Sequence, residues 1–152
     1  MMLSPRWKSK RCSARRRAST SASRYTAGVK AIFFVALGGA LGSVARYKMS
    51  GWVLHHTMDW KFPAGTFAVN VVGCMLAGLL AGLAEKQELF GADARLFLFT
   101  GLLGGFTTFS AFGLETMYLL RKGELLVAGS NMVLSVLVGL LALWVGLGAA
   151  RA

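Results

Sequence analysis

The sequence contains little of what soluble domains and enzymes depend on. Of its 152 residues only 15% are charged, 6 are acidic, 2 are proline and 2 are cysteine. Cys12 lies in a basic segment and Cys74 in an apolar one, so neither a disulfide framework nor a metal-ligand spacing can be assembled from them. No serine, histidine and acid set and no phosphate loop is available either, which argues against an enzyme.

What the sequence does contain is apolar length. Hydrophobic residues make up 55% of the chain and 19 residues are glycine, which leaves too little polar surface to cover a soluble domain. A helix needs about 20 apolar residues to cross the hydrocarbon core of a bilayer. Four such stretches lie at about residues 31–53, 62–84, 96–120 and 125–148. The sequence therefore predicts an all-α integral membrane protein with four transmembrane helices, in a domain over residues 30–152.

The positive charge is concentrated at one end of the chain. Residues 1–28 hold 8 of the 17 basic residues and no acid, so the net charge of +11 does not indicate a nucleic-acid partner. This segment lacks the apolar core of a secretory signal, and Val29 and Lys30 directly precede the first hydrophobic run. We expect residues 1–29 to be a basic disordered extension. Translation from Val29 is a hypothesis that N-terminal sequencing of the natural protein tests.

The third apolar stretch contains an unusual segment, Gly101-Leu-Leu-Gly-Gly-Phe-Thr-Thr-Phe-Ser-Ala-Phe-Gly113. Glycine costs about 1 kcal/mol in a helix interior, and hydroxyl side chains compete for backbone hydrogen bonds. We therefore expect the helix to unwind around Gly104 to Ser110, near the middle of the membrane. Because unwound backbone cannot face lipid, this segment predicts a functional site.

Several other polar residues can be interpreted in two ways. Asn131 and Ser135 are four residues apart and share one helix face, where they form either a polar track or ordinary interhelical hydrogen bonds. Asn70 can serve a site or join two helices. The adjacent His55 and His56 diverge on a helix, which favours a polar loop over a metal site.

The charges of the loops nearly balance once the basic segment is set aside. From Val29 onward one side of the membrane collects four basic residues and the other five. A chain with so small a bias can insert in both orientations and pair as an antiparallel homodimer, whereas the basic segment changes the count to twelve against five and should keep the N-terminus inside. These two predictions exclude each other.

Four segments, taken together and in order, resemble the CrcB/Fluc family of bacterial fluoride channels. They are Gly39-Ala-Leu-Gly-Ser-Val-Ala-Arg-Tyr47, Gly65-Thr-Phe-Ala-Val-Asn-Val-Val-Gly73, the glycine-rich segment of the third stretch and the polar face of the last one. The similarity covers about residues 30–150. It implies a dual-topology antiparallel homodimer in the bacterial plasma (inner) membrane, with a third helix broken mid-membrane, two fluoride pathways built by both subunits, and no soluble protein partner.

The resemblance also implies which residues act. The fluoride pathway would be lined by Asn70, Phe109, Ser110, Phe112, Asn131 and Ser135, with Arg46 in the vestibule. The main-chain carbonyls of Gly104 and Thr107 from both copies would hold a structural Na⁺ at the dimer centre, and carbonyl oxygens do suit a hard cation. Without the resemblance, the phenylalanines could face lipid, Arg46 could be an interfacial anchor, and the glycines could form a simple kink.

The sequence departs from the family pattern at two positions. Ala111 stands where many members have threonine, and Gly139 stands where some have serine, so two hydroxyl groups are missing and the conduction rate is in question. Glu115, near the end of the third stretch, is either a proton-coupled carboxylate or a residue that reaches polar surroundings or a basic partner near the pore mouth.

Two other functions compete with fluoride conduction. A small proton-coupled multidrug exporter also has four helices, but it needs an acidic residue in the first span, and residues 31–53 contain none. A membrane subunit without transport activity would leave the interrupted third helix unexplained.

Overall fold

The computed structural model describes residues 6–87 and 90–151. The chain divides between Phe33 and Phe34 into two compact units, and the second unit carries the features described below. The elements in chain order are α1 (Arg6–His56), α2 (Ala64–Gln87), α3 (Ala92–Arg95), a π-helix (Leu96–Leu103), α4 (Gly104–Phe106), α5 (Phe109–Arg121) and α6 (Leu125–Arg151).

Four helical segments are long and apolar enough to cross a membrane. They are Gly28–His56, Ala64–Glu85, Ala92–Arg121 and Leu125–Arg151, and their mean hydropathy lies between 1.5 and 2.3. These bounds agree with the predicted spans to within about one helical turn of 3.6 residues. The predicted all-α membrane protein with four spans is confirmed.

Helices α2 and α6 pack closely against each other, and glycines set their separation. A Cβ at Gly78 would overlap the Leu143 carbonyl oxygen, and a Cβ at Gly146 would overlap that of Met75. Both obstacles are backbone atoms, which cannot move as the end of a side chain can. The two helices can therefore approach this closely only with glycine at the crossing, as small residues allow elsewhere in membranes.

Helix α1 packs against the third span in the same way. A Cβ at Gly42 would overlap the Leu102 carbonyl oxygen, and one at Gly105 would lie 2.5 Å from the Gly39 carbonyl oxygen. The small-residue patch of the first stretch thus receives the glycine-rich segment of the third. This contact fixes the segment that carries most of the predicted site.

The third span changes conformation along its length. It begins as a short α-helix, widens into the π-helix Leu96–Leu103, and returns to α-helix over Gly104–Phe106. Thr107 (φ −80°, ψ 157°) and Thr108 (φ −150°, ψ 111°) are extended, and α5 follows. Helix α5 ends at Arg121 and is followed by the left-handed Gly123 (φ 78°), after which the Glu124 N–H donates to the Leu119 carbonyl at 3.0 Å.

The predicted extension over residues 1–29 stays a prediction. Residues 1–5 lie outside the described residues, as does the side chain of Cys12, and α1 continues back to Arg6.

Candidate functional site

The extended Thr107–Thr108 segment is held by a side chain of α2. The Thr108 N–H donates to Asn70 Oδ1 at 2.9 Å, and Asn70 Nδ2 donates to the Thr108 carbonyl at 3.2 Å. One amide therefore satisfies both polar groups of an extended residue, as a neighbouring strand would. Thr108 in turn caps α5, because its Oγ1 accepts from the Ala111 N–H at 3.2 Å.

A cavity of about 500 Å³ lies beside this segment. Six of the nine residues that the sequence predicts for the pathway, the vestibule and the sodium site line it: Asn70, Gly104, Thr107, Phe109, Phe112 and Ser135. They come from three different helical spans, so the fold brings together residues that are 65 positions apart in the sequence. The rest of the lining is mostly apolar and includes Val136, Leu143 and Cys74.

The two phenylalanines form a pair on one face of α5. Their ring centroids are 5.6 Å apart with the planes inclined by 42°, a tilted arrangement that aromatic pairs often adopt. Phe112 is half-buried, whereas 83% of Phe109 is exposed in the single chain. A ring exposed to this extent is available to a second molecule or to lipid.

Asn131 does not line the cavity as the structure describes it, and its side chain is 1% exposed. Its Nδ2 donates to Thr116 Oγ1 at 2.9 Å, and its Oδ1 accepts from Ser135 Oγ at 3.4 Å. The Thr116 hydroxyl donates to the Phe112 carbonyl at 2.8 Å. This chain of hydrogen bonds links the hydroxyl of Ser135 to the backbone of Phe112. Asn131 thus makes an interhelical hydrogen bond, which was one of the two interpretations of its sequence position.

A second cavity, of about 480 Å³, holds the remaining charged residue of the predicted site. Arg46 is half-buried and lines it together with Ser43 and Ser50 from α1. Thr108 lines both cavities, so the extended segment separates two spaces of similar size. Arg46 thus lies in a partly polar recess next to the cavity that contains the phenylalanines.

Glu115 lines this second cavity as well. Its Oε1 accepts from Thr66 Oγ1 at 2.7 Å, while its Oε2 is buried and has no hydrogen-bond partner among the side chains that the structure describes. The sequence left open whether Glu115 is proton-coupled, reaches polar surroundings or pairs with a basic residue. The structure shows a polar contact, with Thr66.

Ser110 is exposed, and its hydroxyl lies 3.3 Å from that of Thr108. The two departures from the family pattern differ in their surroundings. Ala111 lines the second cavity, whereas Gly139 is buried, and a Cβ there would lie 3.4 Å from Cys74 Sγ. The thiol therefore stands close to the position that a serine side chain at 139 would occupy.

His55 and His56 lie in the last turn of α1. His56 Nδ1 is 2.8 Å from the Trp52 carbonyl oxygen, and the His55 and His56 rings meet edge to face. Among residues 28–85 and 90–151, whose side chains the structure describes, no group of three histidine, cysteine or acidic side chains could hold a metal ion. The prediction that the two histidines lie in a loop is wrong, because α1 continues through His56 and the connection begins at Thr57.

Sequence reasoning missed Thr108 and Thr116. Thr108 carried a recognisable signal, since a threonine that directly precedes a helical run is a preferred N-cap. Thr116 carried none, because its partner Asn131 is on another helix and a buried threonine is common in membrane spans.

Comparison with known proteins gives consistent similarities. A family profile described as "CrcB-like protein, Camphor Resistance (CrcB)" matches residues 33–147. A protein of Methylobacillus flagellatus named "Fluoride-specific ion channel FluC" is 55% identical over 115 residues, which cover 76% of this chain and 90% of its own. Proteins of the same name from Flavobacterium psychrophilum and Geotalea daltonii are 46% and 45% identical, over 78% and 81% of this chain and 95% and 98% of theirs.

Proposed function

The chain belongs to the CrcB-like family, and from this premise we propose that it forms a fluoride-selective ion channel through which cytoplasmic fluoride leaves passively. Relatives that are 55%, 46% and 45% identical over most of the chain carry the name of such a channel. Fluoride enters cells as the neutral acid, dissociates at the higher internal pH and is trapped, so an open path for the anion relieves its toxicity. Conduction needs no catalytic group, and the chain is not an enzyme.

One observation carries the proposal, namely that the donors and rings suited to fluoride line a single cavity. Fluoride is small and strongly hydrated, and a selective path must replace its water with hydrogen-bond donors and the positive edges of aromatic rings. Ser135, Asn70, Phe109 and Phe112 all line the 500 Å³ cavity. The Ser135 hydroxyl donates its one hydrogen to Asn131 Oδ1 over a long 3.4 Å, a bond that it would exchange for fluoride. Asn70 Nδ2 has two hydrogens, of which the Thr108 carbonyl takes one.

The roles of the remaining residues follow from their positions. Arg46, in the adjoining recess, raises the local anion concentration as a vestibule residue does. Asn131 supports the pathway through its hydrogen bond with Ser135. Ser110 lies next to Thr108, which lines the cavity. Ala111, in the second cavity, and Gly139, beside Cys74, lack the hydroxyl groups that other members have at these positions, and we expect conduction to be retained at a changed rate.

Two copies are proposed to pair in antiparallel orientation within the bacterial plasma membrane. The exposure of 83% of Phe109 supports this, since a ring that contacts fluoride has to be shielded from lipid by a second copy. The near balance of loop charges from Val29 onward supports two insertion directions. In such a pair the extended Thr107–Thr108 segment lies at membrane depth and is covered by protein, as free backbone polar groups require.

A structural Na⁺ at the dimer centre is the further part of the proposal. The chain supplies suitable ligands, because Gly104 is exposed and the N–H that would bond its carbonyl in a helix donates to Asn70. The Gly104 and Thr107 carbonyls of both copies would hold the ion. A bound sodium ion would supply positive charge between the carbonyl oxygens of the two copies and so hold their backbones together.

The proton-coupled exporter is not favoured. Within the described residues of the first span there is no acidic side chain for proton exchange, and Glu115 lies on the third span bonded to Thr66. The named relatives point to an anion, not to a cationic drug.

Fluoride efflux from liposomes that contain the purified protein tests the proposal. Internal fluoride should leave rapidly once an ionophore balances the charge, and chloride-loaded liposomes should retain their ion. Equal efflux of the two anions would contradict a selective channel. Uptake of a cationic dye driven by a proton gradient would support the exporter instead.

A further inference from the structure

Two side chains hold the N–H groups that would otherwise bond the Gly104 and Thr107 carbonyls. In a continuous α-helix each carbonyl accepts from the N–H four residues ahead. For Gly104 that N–H belongs to Thr108, and it donates to Asn70 Oδ1 at 2.9 Å. For Thr107 it belongs to Ala111, and it donates to Thr108 Oγ1 at 3.2 Å. Both carbonyl oxygens are thereby deprived of their helical donors.

The two diversions depend on each other. Asn70 Nδ2 also donates to the Thr108 carbonyl, so the amide grips both sides of this residue and stabilises its extended backbone at φ −150° and ψ 111°. Only in this extended conformation does the Thr108 hydroxyl act as the N-cap of α5 and accept from Ala111. The amide on α2 and the hydroxyl at the start of α5 therefore work as one unit.

We propose that Asn70 and Thr108 are positioning residues for the cation, because their hydrogen bonds leave the carbonyls of Gly104 and Thr107 without helical donors and so available as ligands. This inference rests on the sodium site proposed above. Asn70 would then serve both the anion pathway and the cation site through the same amide. A substitution that weakens the clamp lowers cation affinity although it touches neither carbonyl.

Sodium-dependent stability of the purified full-length protein tests this, because it does not depend on fluoride conduction. An ion that binds only the folded dimer raises its melting temperature with concentration. The melting temperature is followed while sodium chloride replaces N-methylglucamine chloride at constant ionic strength. Thr108→Val removes the capping hydroxyl and Thr108→Ser keeps it, while Asn70→Leu removes both bonds of the amide.

Asn70→Leu and Thr108→Val should require roughly three- to tenfold more sodium for half of the stabilisation, the range expected when carbonyls must break a hydrogen bond before they bind. Thr108→Ser should behave like the wild type. Ser130→Ala is a matched control, because the Ser130 hydroxyl donates to the Leu126 carbonyl of its own helix and has no part in the bonds of Asn70 and Thr108 described above.

The outcomes are distinguishable. A wild-type protein whose stability ignores sodium would overturn both the proposed sodium site and this inference. A wild type that responds to sodium, with Asn70→Leu and Thr108→Val folded and unshifted, would overturn the inference alone. If Asn70→Leu does not fold, the comparison of Thr108→Val with Thr108→Ser decides.

Discussion

The rings of Phe109 and Phe112 are predicted to contribute directly to fluoride conduction through their positive edges. Replacing either with isoleucine keeps an apolar side chain but removes the positive edge that stabilises the anion, so fluoride efflux should fall about tenfold or more, which corresponds to roughly 1.4 kcal/mol. Liposome efflux measures the change, and size-exclusion chromatography checks that the oligomer persists. Phe67→Ile is the matched control, since the Phe67 ring contacts Phe62, 5.3 Å away. Wild-type efflux in both test variants would remove the rings from the pathway.

Asn131 is predicted to act mainly on stability. Its buried amide bonds Thr116 and Ser135, so Asn131→Leu leaves the hydroxyl of Thr116 without its partner on α6. We expect a loss of about 1–3 kcal/mol in the free energy of unfolding. Reversible unfolding in detergent micelles measures it, with Ser130→Ala as the neighbouring control. A double-mutant cycle with Thr116→Val should show coupling, and strictly additive losses would contradict the direct bond.

These residues also show what the sequence can and cannot specify. The spacing of Asn131 and Ser135 correctly placed both on one face, and the structure joins them by a hydrogen bond. Which side of α6 faces the cavity depends on packing between helices, so the burial of Asn131 could not be read from its spacing. Likewise, the sequence left open whether Asn70 serves a site or joins helices, and its bonds to Thr108 show that it joins α2 to the third span.

At the scale of elements, the third span was predicted in outline. The glycine and hydroxyl content indicated unwinding around Gly104 to Ser110, yet only Thr107 and Thr108 are extended. Gly104–Phe106 remains helical, and the cap at Thr108 restarts α5 at once. The π-helix over Leu96–Leu103 had no signal in composition, since a widened turn reflects how the chain fits its neighbours and not a preference of its residues.

The crossing of α2 and α6 gives an element-scale prediction. A Cβ at Gly146 would overlap backbone atoms of Met75, so Gly146→Ala should force the helices apart and lower stability by about 1–3 kcal/mol. Gly148→Ala, two residues on, has no atom within 4 Å of its new methyl group. It should be neutral or slightly stabilising, because alanine favours helix. Unfolding in micelles compares the two, and equal effects would show that the crossing is not limited by the glycine.

In the single chain, residues of the proposed fluoride pathway and of the proposed sodium site are left uncovered. The Phe109 ring is largely uncovered, and Gly104 is exposed beside the extended segment. Composition and periodicity specify each helix and its apolar surface, but they do not specify which surfaces meet another copy. That information enters through charge, since the orientation of a small membrane protein depends on a few basic residues in its loops.

The basic segment therefore gives the last prediction, which concerns topology. The full chain carries twelve basic residues on the side of its N-terminus against five on the other, whereas a chain that starts at Val29 carries four against five. Since short-loop lysine and arginine stay inside, the full chain should insert mainly with its N-terminus inside and the shorter one in both directions. Reporters fused to the C-terminus, one active on each side of the membrane, measure the ratio of the two orientations.

Replacing the eight basic residues of the segment with glutamine should reproduce the ratio of the shorter chain. If all three chains gave the same ratio, the loop charges would not set the orientation, and the charge argument for antiparallel pairing would fail with them.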